Sequence, residues 1–264
     1  MLHTVKGLVL RETVIGDNAK YINILTAERG RISVLVRGAV RLRGRFTAPT
    51  QLFCYSEFVI YEHNEKYSLN DATLIENYFS LCDDFDRMTV ATYVLNAVEY
   101  VTGEGQAEPN ILRLALNTLW ALTRYKDRDF RLIKGVFELR LCSFLGFAPN
   151  LVSCPECGHG VEDEVMILNV MEGTITCRKC YDGLFRETHI EDERIVDSMR
   201  TAQIVIPLCP ASLLSMQHAI YADMAKLFSF TLAEECVAEF SGACEKYLEN
   251  HIDHHFAVLD MLIK

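Results

Sequence analysis

Arg31-Ile32-Ser33-Val34-Leu35-Val36-Arg37 decides the fold of the N-terminal part of the chain. Ile32, Val34 and Val36 fall on one side of an extended segment, and Arg31, Ser33 and Arg37 fall on the other. That period of two is what a half-buried strand requires. Just upstream, Tyr21-Ile22-Asn23-Ile24-Leu25-Thr26 is a second such run. Ala27-Glu28-Arg29-Gly30 joins them as a short loop closed by glycine, so the pair reads as a hairpin with basic side chains at its ends. An earlier run through Val5, Leu8, Val9 and Leu10 stops at the turn signal Gly16-Asp17-Asn18. Residues 53–62 and 67–75 follow, separated by His63-Asn64-Glu65-Lys66. Five short strands with no helix between most of them predict a small antiparallel barrel.

Beyond residue 80 the apolar period lengthens. Val90, Val94, Ala97, Val98 and Val101 recur at helical spacing over residues 84–101, before Gly103-Glu104-Gly105. Pro109, suited to a first turn, opens a helix to Tyr125 with Ile111, Leu112, Ala115, Leu119 and Leu122 inward. A third helix starts near Asp129 and carries Phe130, Ile133, Phe137, Leu141 and Phe144, closed by Gly146. Residues 191–205 and 211–249 read as helical again, broken by Pro207 and Pro210. The predicted class is α+β: a barrel domain at 1–80, helices at 81–149, a cysteine module at 150–186, and a C-terminal helical part at 187–264.

Cys154-x2-Cys157-x19-Cys177-x2-Cys180 is the spacing of a four-cysteine zinc ribbon. Two residues between cysteines let both thiolates of a tight turn face one ion, and residues 165–170 and 173–176 supply the small hairpin between the pairs. A redox dithiol of the thioredoxin type belongs between a strand and a helix of a parallel α/β unit, and no such unit is legible. Four protein ligands leave no open position for water, so the implied Zn²⁺ is structural. The other six cysteines lie in apolar contexts and read as core.

Half of the 264 residues are hydrophobic, enough for a sizeable core without disulfides. No apolar run reaches the roughly eighteen residues of a membrane span. Met1-Leu2-His3-Thr4-Val5-Lys6 does not have the pattern of a signal peptide, which predicts a cytoplasmic protein with reduced thiols and no membrane partner. The net charge of −10 hides an asymmetry: residues 1–45 hold nine Lys or Arg against three acidic residues, and the rest holds 17 against 33. A basic head on an acidic body points to a polyanion at one end. Arg37-Gly38-Ala39-Val40-Arg41-Leu42-Arg43-Gly44-Arg45 concentrates that charge, with forked donors for phosphate and glycines that admit it closely. Arg31, Arg37, Arg41, Arg43 and Arg45 are therefore the candidate nucleic-acid-binding residues. Tyr21, Phe46, Phe53 and Tyr55 are candidate base-stacking residues, although aromatics in strands more often pack inward.

Nothing in the chain reads as an enzyme. There is no phosphate-cradling Gly-x-x-x-x-Gly-Lys-Ser/Thr run, and Gly103-x-Gly105 lacks the third glycine of a dinucleotide motif. Asp83, Asp84 and Asp86 sit where a helix begins, a place acidic residues favour. His251 and His255 share a helical spacing but lack a third ligand. The alternatives left by the residues are a zinc-ribbon RNA-binding or transcription factor with the same barrel, and a zinc-stabilised nuclease.

Gly7-Leu8-Val9-Leu10-Arg11, residues 25–33, Arg37-Gly38-Ala39, and the run from Phe137 through Pro149 into Cys154-Pro155-Glu156-Cys157-Gly158 together resemble the DNA repair protein RecO family. The resemblance implies that the barrel is an OB-fold and that the all-α domain carries an inserted zinc element. It implies a non-enzymatic, nucleoid-associated mediator of recombinational repair. Such a protein binds single- and double-stranded DNA and anneals complementary strands. It works with RecR to load RecA onto DNA coated by single-strand-binding protein (SSB). It also implies that the helical domain takes the acidic C-terminal tail of SSB, for which Arg131, Lys134 and Arg140 around Phe137 and Leu141 are the candidates.

Overall fold

The computed structural model describes residues 1–38, 44–160, 164–184 and 203–262. They form two compact units, Met1–Lys126 with Phe256–Lys264, and Asp127–His255. Among the described residues no helix is long and apolar enough to cross a membrane.

The first unit is built on a closed barrel of β1 (Leu2–Ile15), β2 (Ala19–Thr26), β3 (Gly30–Arg37), β4 (Cys54–His63) and β5 (Lys66–Asn77), in the order β1-β2-β3-β5-β4. All neighbours are antiparallel except β3 and β5, which run parallel. This is the Greek-key order of an OB-fold. Strand β1 serves both sides of the closure: Leu2–Leu8 pair with β4, and Gly7–Ile15 pair with β2, with a register shift between Val9 and Arg11 that bends the strand. The inward set of β3 is Ile32, Val34 and Val36, which pack with Val9, Ile24, Phe58 and Ile60. Asn64 and Glu65 both have positive φ, the two-residue hairpin turn that joins β4 to β5.

Two helices complete this unit. Asp84 caps α1 (Phe85–Val101), its carboxylate accepting from the Arg87 amide at 3.1 Å. The acidic run at residues 83–86 thus serves a helix start. Arg87 then donates to the Leu122 and Lys126 carbonyls at 2.7 and 3.0 Å, satisfying the end of α2 (Pro109–Arg124). By compactness α1 and α2 fall with the barrel.

In the second unit α3 (Phe130–Phe144) packs against α5 (Pro210–Tyr221) and α6 (Glu234–Ile252). Gly135 permits a close approach to α6, since a Cβ there would stand 2.6 Å from the Phe240 ring. A three-stranded sheet of β7 (Thr174–Cys177), β6 (Met166–Asn169) and β8 (Val205–Leu208) carries α4 (Arg178–Leu184). Two expectations change here. Residues 205–208 are a strand and not the end of a helix, because they pair with β6; Pro207 is tolerated on this edge strand. The helix expected over 211–249 is two helices, with residues 222–233 outside both. The expected helix at 191–202 lies outside the described residues.

Candidate nucleic-acid interface and four-cysteine centre

Register builds a row of side chains across the outside of the barrel. Tyr21 of β2 pairs with Leu35 of β3, Leu35 with Ser68 of β5, and Ser68 with Tyr61 of β4. Each faces away from the core because its sequence neighbours, such as Ile22, Val34, Val36 and Ile60, face into it. The next positions towards the rim add Arg37, Lys66 and His63. Together with Tyr67, half-buried against the barrel core, they line a cleft of about 450 Å³. Tyr21 and Tyr61 are 40% and 46% exposed, and the Tyr61 and His63 rings lie 6.4 Å apart and within 16° of parallel. Flat rings open to solvent beside two cations suit bases and phosphates together.

The five candidate arginines part company. Arg37 lines the cleft. Arg31, on the same outward face of β3, stands 3.9 Å from Glu99 of α1, which also faces Arg11 and accepts from Asn23 at 2.6 Å. Arg45 donates to the Asn70 carbonyl at 3.1 Å and lies over the Phe46 ring at 4.4 Å. Arg41 and Arg43 lie outside the described residues. Of the aromatic candidates, Tyr21 is on the cleft, Phe53 is buried, and Phe46 packs against the barrel core. Sequence reasoning missed Tyr61, His63, Lys66 and Tyr67. Their signal was present: Phe58 and Ile60 point inward, so the alternation turns Tyr61 and His63 outward next to the hairpin.

The three cationic residues of α3 are placed differently again. Arg131 is clasped by Asp129 at 2.6 Å and its side chain is 39% exposed. Lys134 is buried between Glu138 and Glu245, at 2.9 and 2.7 Å. Arg140 is buried and donates to the Ala219 and Ala222 carbonyls, which satisfies the end of α5. Lys134 and Arg140 are internal struts of their unit, and only Arg131 of the three faces solvent.

The four ribbon cysteines converge. Cys154 opens a tight knuckle in which its amide donates to the His159 carbonyl at 2.9 Å and Gly158, at φ +71°, turns back onto the Cys154 carbonyl. Cys177 ends β7, and Cys180 sits in the first turn of α4 with its amide 3.5 Å from the Cys177 sulfur. All four Sγ atoms lie within 4.8 Å of one another, and Cys157 and Cys177 are 3.7 Å apart. A tetrahedron with metal–sulfur bonds of about 2.3 Å has sulfur edges of about 3.8 Å, so the donor set fits a soft divalent ion such as zinc. Among the described residues this is the sole such group. His251 is spent otherwise, tilted over Tyr247 at 4.1 Å, and His255 meets Glu249. The remaining cysteines divide: Cys54, Cys142 and Cys244 are core, whereas Cys82 is exposed and Cys209 and Cys236 are partly so.

Residues 1–78 match the family profile described as Recombination protein O N terminal, and residues 82–195 match that described as Recombination protein O C terminal. The chain belongs to the RecO family. The DNA repair protein RecO of Acetivibrio thermocellus is 29% identical over 256 residues, spanning 97% of this chain and 94% of the relative. That of Alkaliphilus metalliredigens is 32% identical over 181 residues, 69% of this chain and 73% of the relative. That of Symbiobacterium thermophilum is 29% identical over 252 residues, 94% of this chain and 91% of the relative. RecO membership places the chain in recombinational DNA repair, and the closed five-stranded barrel is its N-terminal domain.

Proposed function

We propose that this RecO-family chain is a non-enzymatic recombination mediator that holds single-stranded DNA in the cleft across β2, β3, β5 and β4. The observation that carries the reading is the Tyr21–Leu35–Ser68–Tyr61 row flanked by Arg37 and Lys66. Tyrosine rings stack on any base, which is the tolerance a sequence-independent mediator needs. Arg37 and Lys66 neutralise phosphates and make binding depend on salt. Duplex DNA reaches the same basic rim through its backbone, without stacking. A protein that holds one strand with its bases displayed can present it to a complement, which supports annealing and, with RecR, the loading of RecA on SSB-coated strands. On α3, Arg131 is the candidate that can meet the acidic SSB tail from solvent. The four cysteines hold a structural Zn²⁺, which ties the β7 end and α4 to the 154–157 knuckle.

The test is the salt dependence of binding to a labelled single-stranded oligonucleotide. Arg37→Ala with Lys66→Ala is expected to shallow the slope of log K against log salt by about 0.7 for each phosphate no longer neutralised. An unchanged slope rejects the cleft. Annealing of SSB-coated complementary strands without ATP or magnesium then separates a mediator from a nuclease.

A further inference from the structure

Two helix starts meet in the second unit, and each brings a cysteine. Cys209 is the cap of α5, its sulfur accepting from the Ser212 amide at 3.4 Å. Cys236 lies in the first turn of α6. Their Sγ atoms are 3.4 Å apart, although the residues are 27 apart in sequence. Both are partly exposed, unlike Cys142 and Cys244 of the same unit, and neither belongs to the four-cysteine cluster. A disulfide needs about 2.05 Å, so closure asks for only about 1.4 Å of sulfur movement.

We propose that Cys209 and Cys236 are a site of reversible oxidation, a dithiol that a hydroperoxide converts to an intramolecular disulfide. The two sulfurs are not equivalent. Cys209 sits at a helix N-terminus, with the Ser212 amide directed at its sulfur and the Ser212 hydroxyl 3.3 Å from it. The hydrogen bond with Cys209 pushes Cys236 up to about 11, with burial and the charges of Cys209, Glu235 and Glu239 adding to it. We assign Cys209, at the cap, as the sulfur that meets the peroxide, and Cys236, 3.4 Å away, as the one that resolves the product. The Cys209 thiolate attacks the terminal peroxide oxygen; the O–O bond breaks, the alcohol or water leaves with a proton, and Cys209 becomes a sulfenic acid. The Cys236 sulfur then attacks the Cys209 sulfur; the S–S bond forms, and the sulfenic hydroxyl departs as water with the Cys236 proton. The dithiol loses two electrons and two protons, and the peroxide takes both. Glu239, which accepts from the Cys209 amide at 2.8 Å, holds the cap in place. The disulfide bolts the start of α5 to the start of α6.

The intact metal-loaded chain, treated with hydrogen peroxide, alkylated in denaturant and mapped by mass spectrometry, gives the answer. The expected product is a peptide pair linked through Cys209 and Cys236 that a dithiol reductant separates. Both cysteines remaining alkylatable overturns the proposal, as does conversion to sulfinic acids without a link, or linkage to Cys82 or the ribbon cysteines instead. In Cys236→Ser, dimedone is expected to trap a sulfenic acid on Cys209. In Cys209→Ser, where serine preserves the cap, trapping at Cys236 is expected to fall at least tenfold. Equal trapping in the two variants overturns the assignment of the nucleophile.

Discussion

Lys134 and Glu138, one turn apart on α3, form an ion pair at 2.9 Å with side chains 3% and 0% exposed. Glu245 of α6 closes on the same ammonium at 2.7 Å from a position 35% exposed. Charge at this depth is tolerable only while paired. Lys134→Ala leaves Glu138 buried and uncompensated, and is expected to cost about 3–5 kcal/mol in urea denaturation. The double substitution Lys134→Met, Glu138→Leu is expected to recover most of that loss, because it removes both charges and keeps the volume. A double variant as unstable as the single one would show that the pair is not the source.

The same pair sets an alkaline limit. Burial alone pulls Lys134 down, but the carboxylates of Glu138 and Glu245 outweigh it and hold the group above its ordinary 10.5. The folded state thus binds this proton more tightly than the unfolded state does. Its contribution is complete below pH 10.5 and drains away as pH rises through the higher folded value. Stability measured from pH 10.5 upward is expected to fall, and Lys134→Met, Glu138→Leu is expected to flatten that fall.

Gly30 is a different kind of constraint. At φ +61°, a Cβ here would stand 2.0 Å from the Gln106 carbonyl oxygen, backbone that cannot swing aside. Gly30→Ala is expected to cost about 3 kcal/mol or more, combining left-handed strain with a clash. Gly16, at φ +57° with nothing within 4 Å, isolates the strain, and Gly16→Ala is expected to cost about 1 kcal/mol. Thermal unfolding of the two variants gives the comparison.

At the cleft, Tyr21→Ala and Tyr61→Ala are each expected to weaken single-strand binding by about 1–3 kcal/mol, with phenylalanine largely restoring it. Duplex binding is expected to change much less, since paired bases do not stack on the barrel. Titrations of both DNA forms at one salt concentration provide the check.

Metal removal is expected to be local. Cys177→Ser, or a strong chelator, is expected to release about one equivalent of zinc and to raise hydrogen exchange across β6, β7 and α4. Barrel exchange and single-strand affinity are expected to stay within about twofold, since the cleft lies in the other compact unit.

The alternation at residues 31–37 and the spacing of the four cysteines depend on the period of a strand and the reach of a thiolate turn, and both are local. They were legible for that reason: Ile32, Val34 and Val36 are core, and Cys154, Cys157, Cys177 and Cys180 meet. Helix starts at Asp84 and Asp129 were legible through their capping carboxylates, and that at Pro109 through a proline suited to the first turn. What failed was non-local. Pro207 is in a strand because β6 lies beside it, which no neighbour in sequence announces.

Residues 31–37 by themselves therefore determined a strand with two arginines on its outer face. Only the tertiary structure decided that those arginines differ. Glu99 on α1 engages Arg31 at one end of β3, while Tyr21, Tyr61 and Lys66 gather around Arg37 at the other. A side chain's direction follows from backbone period, but its freedom depends on what distant segment covers it. Register between four strands made the cleft, and helices on both flanks of α3 buried Lys134 and Arg140.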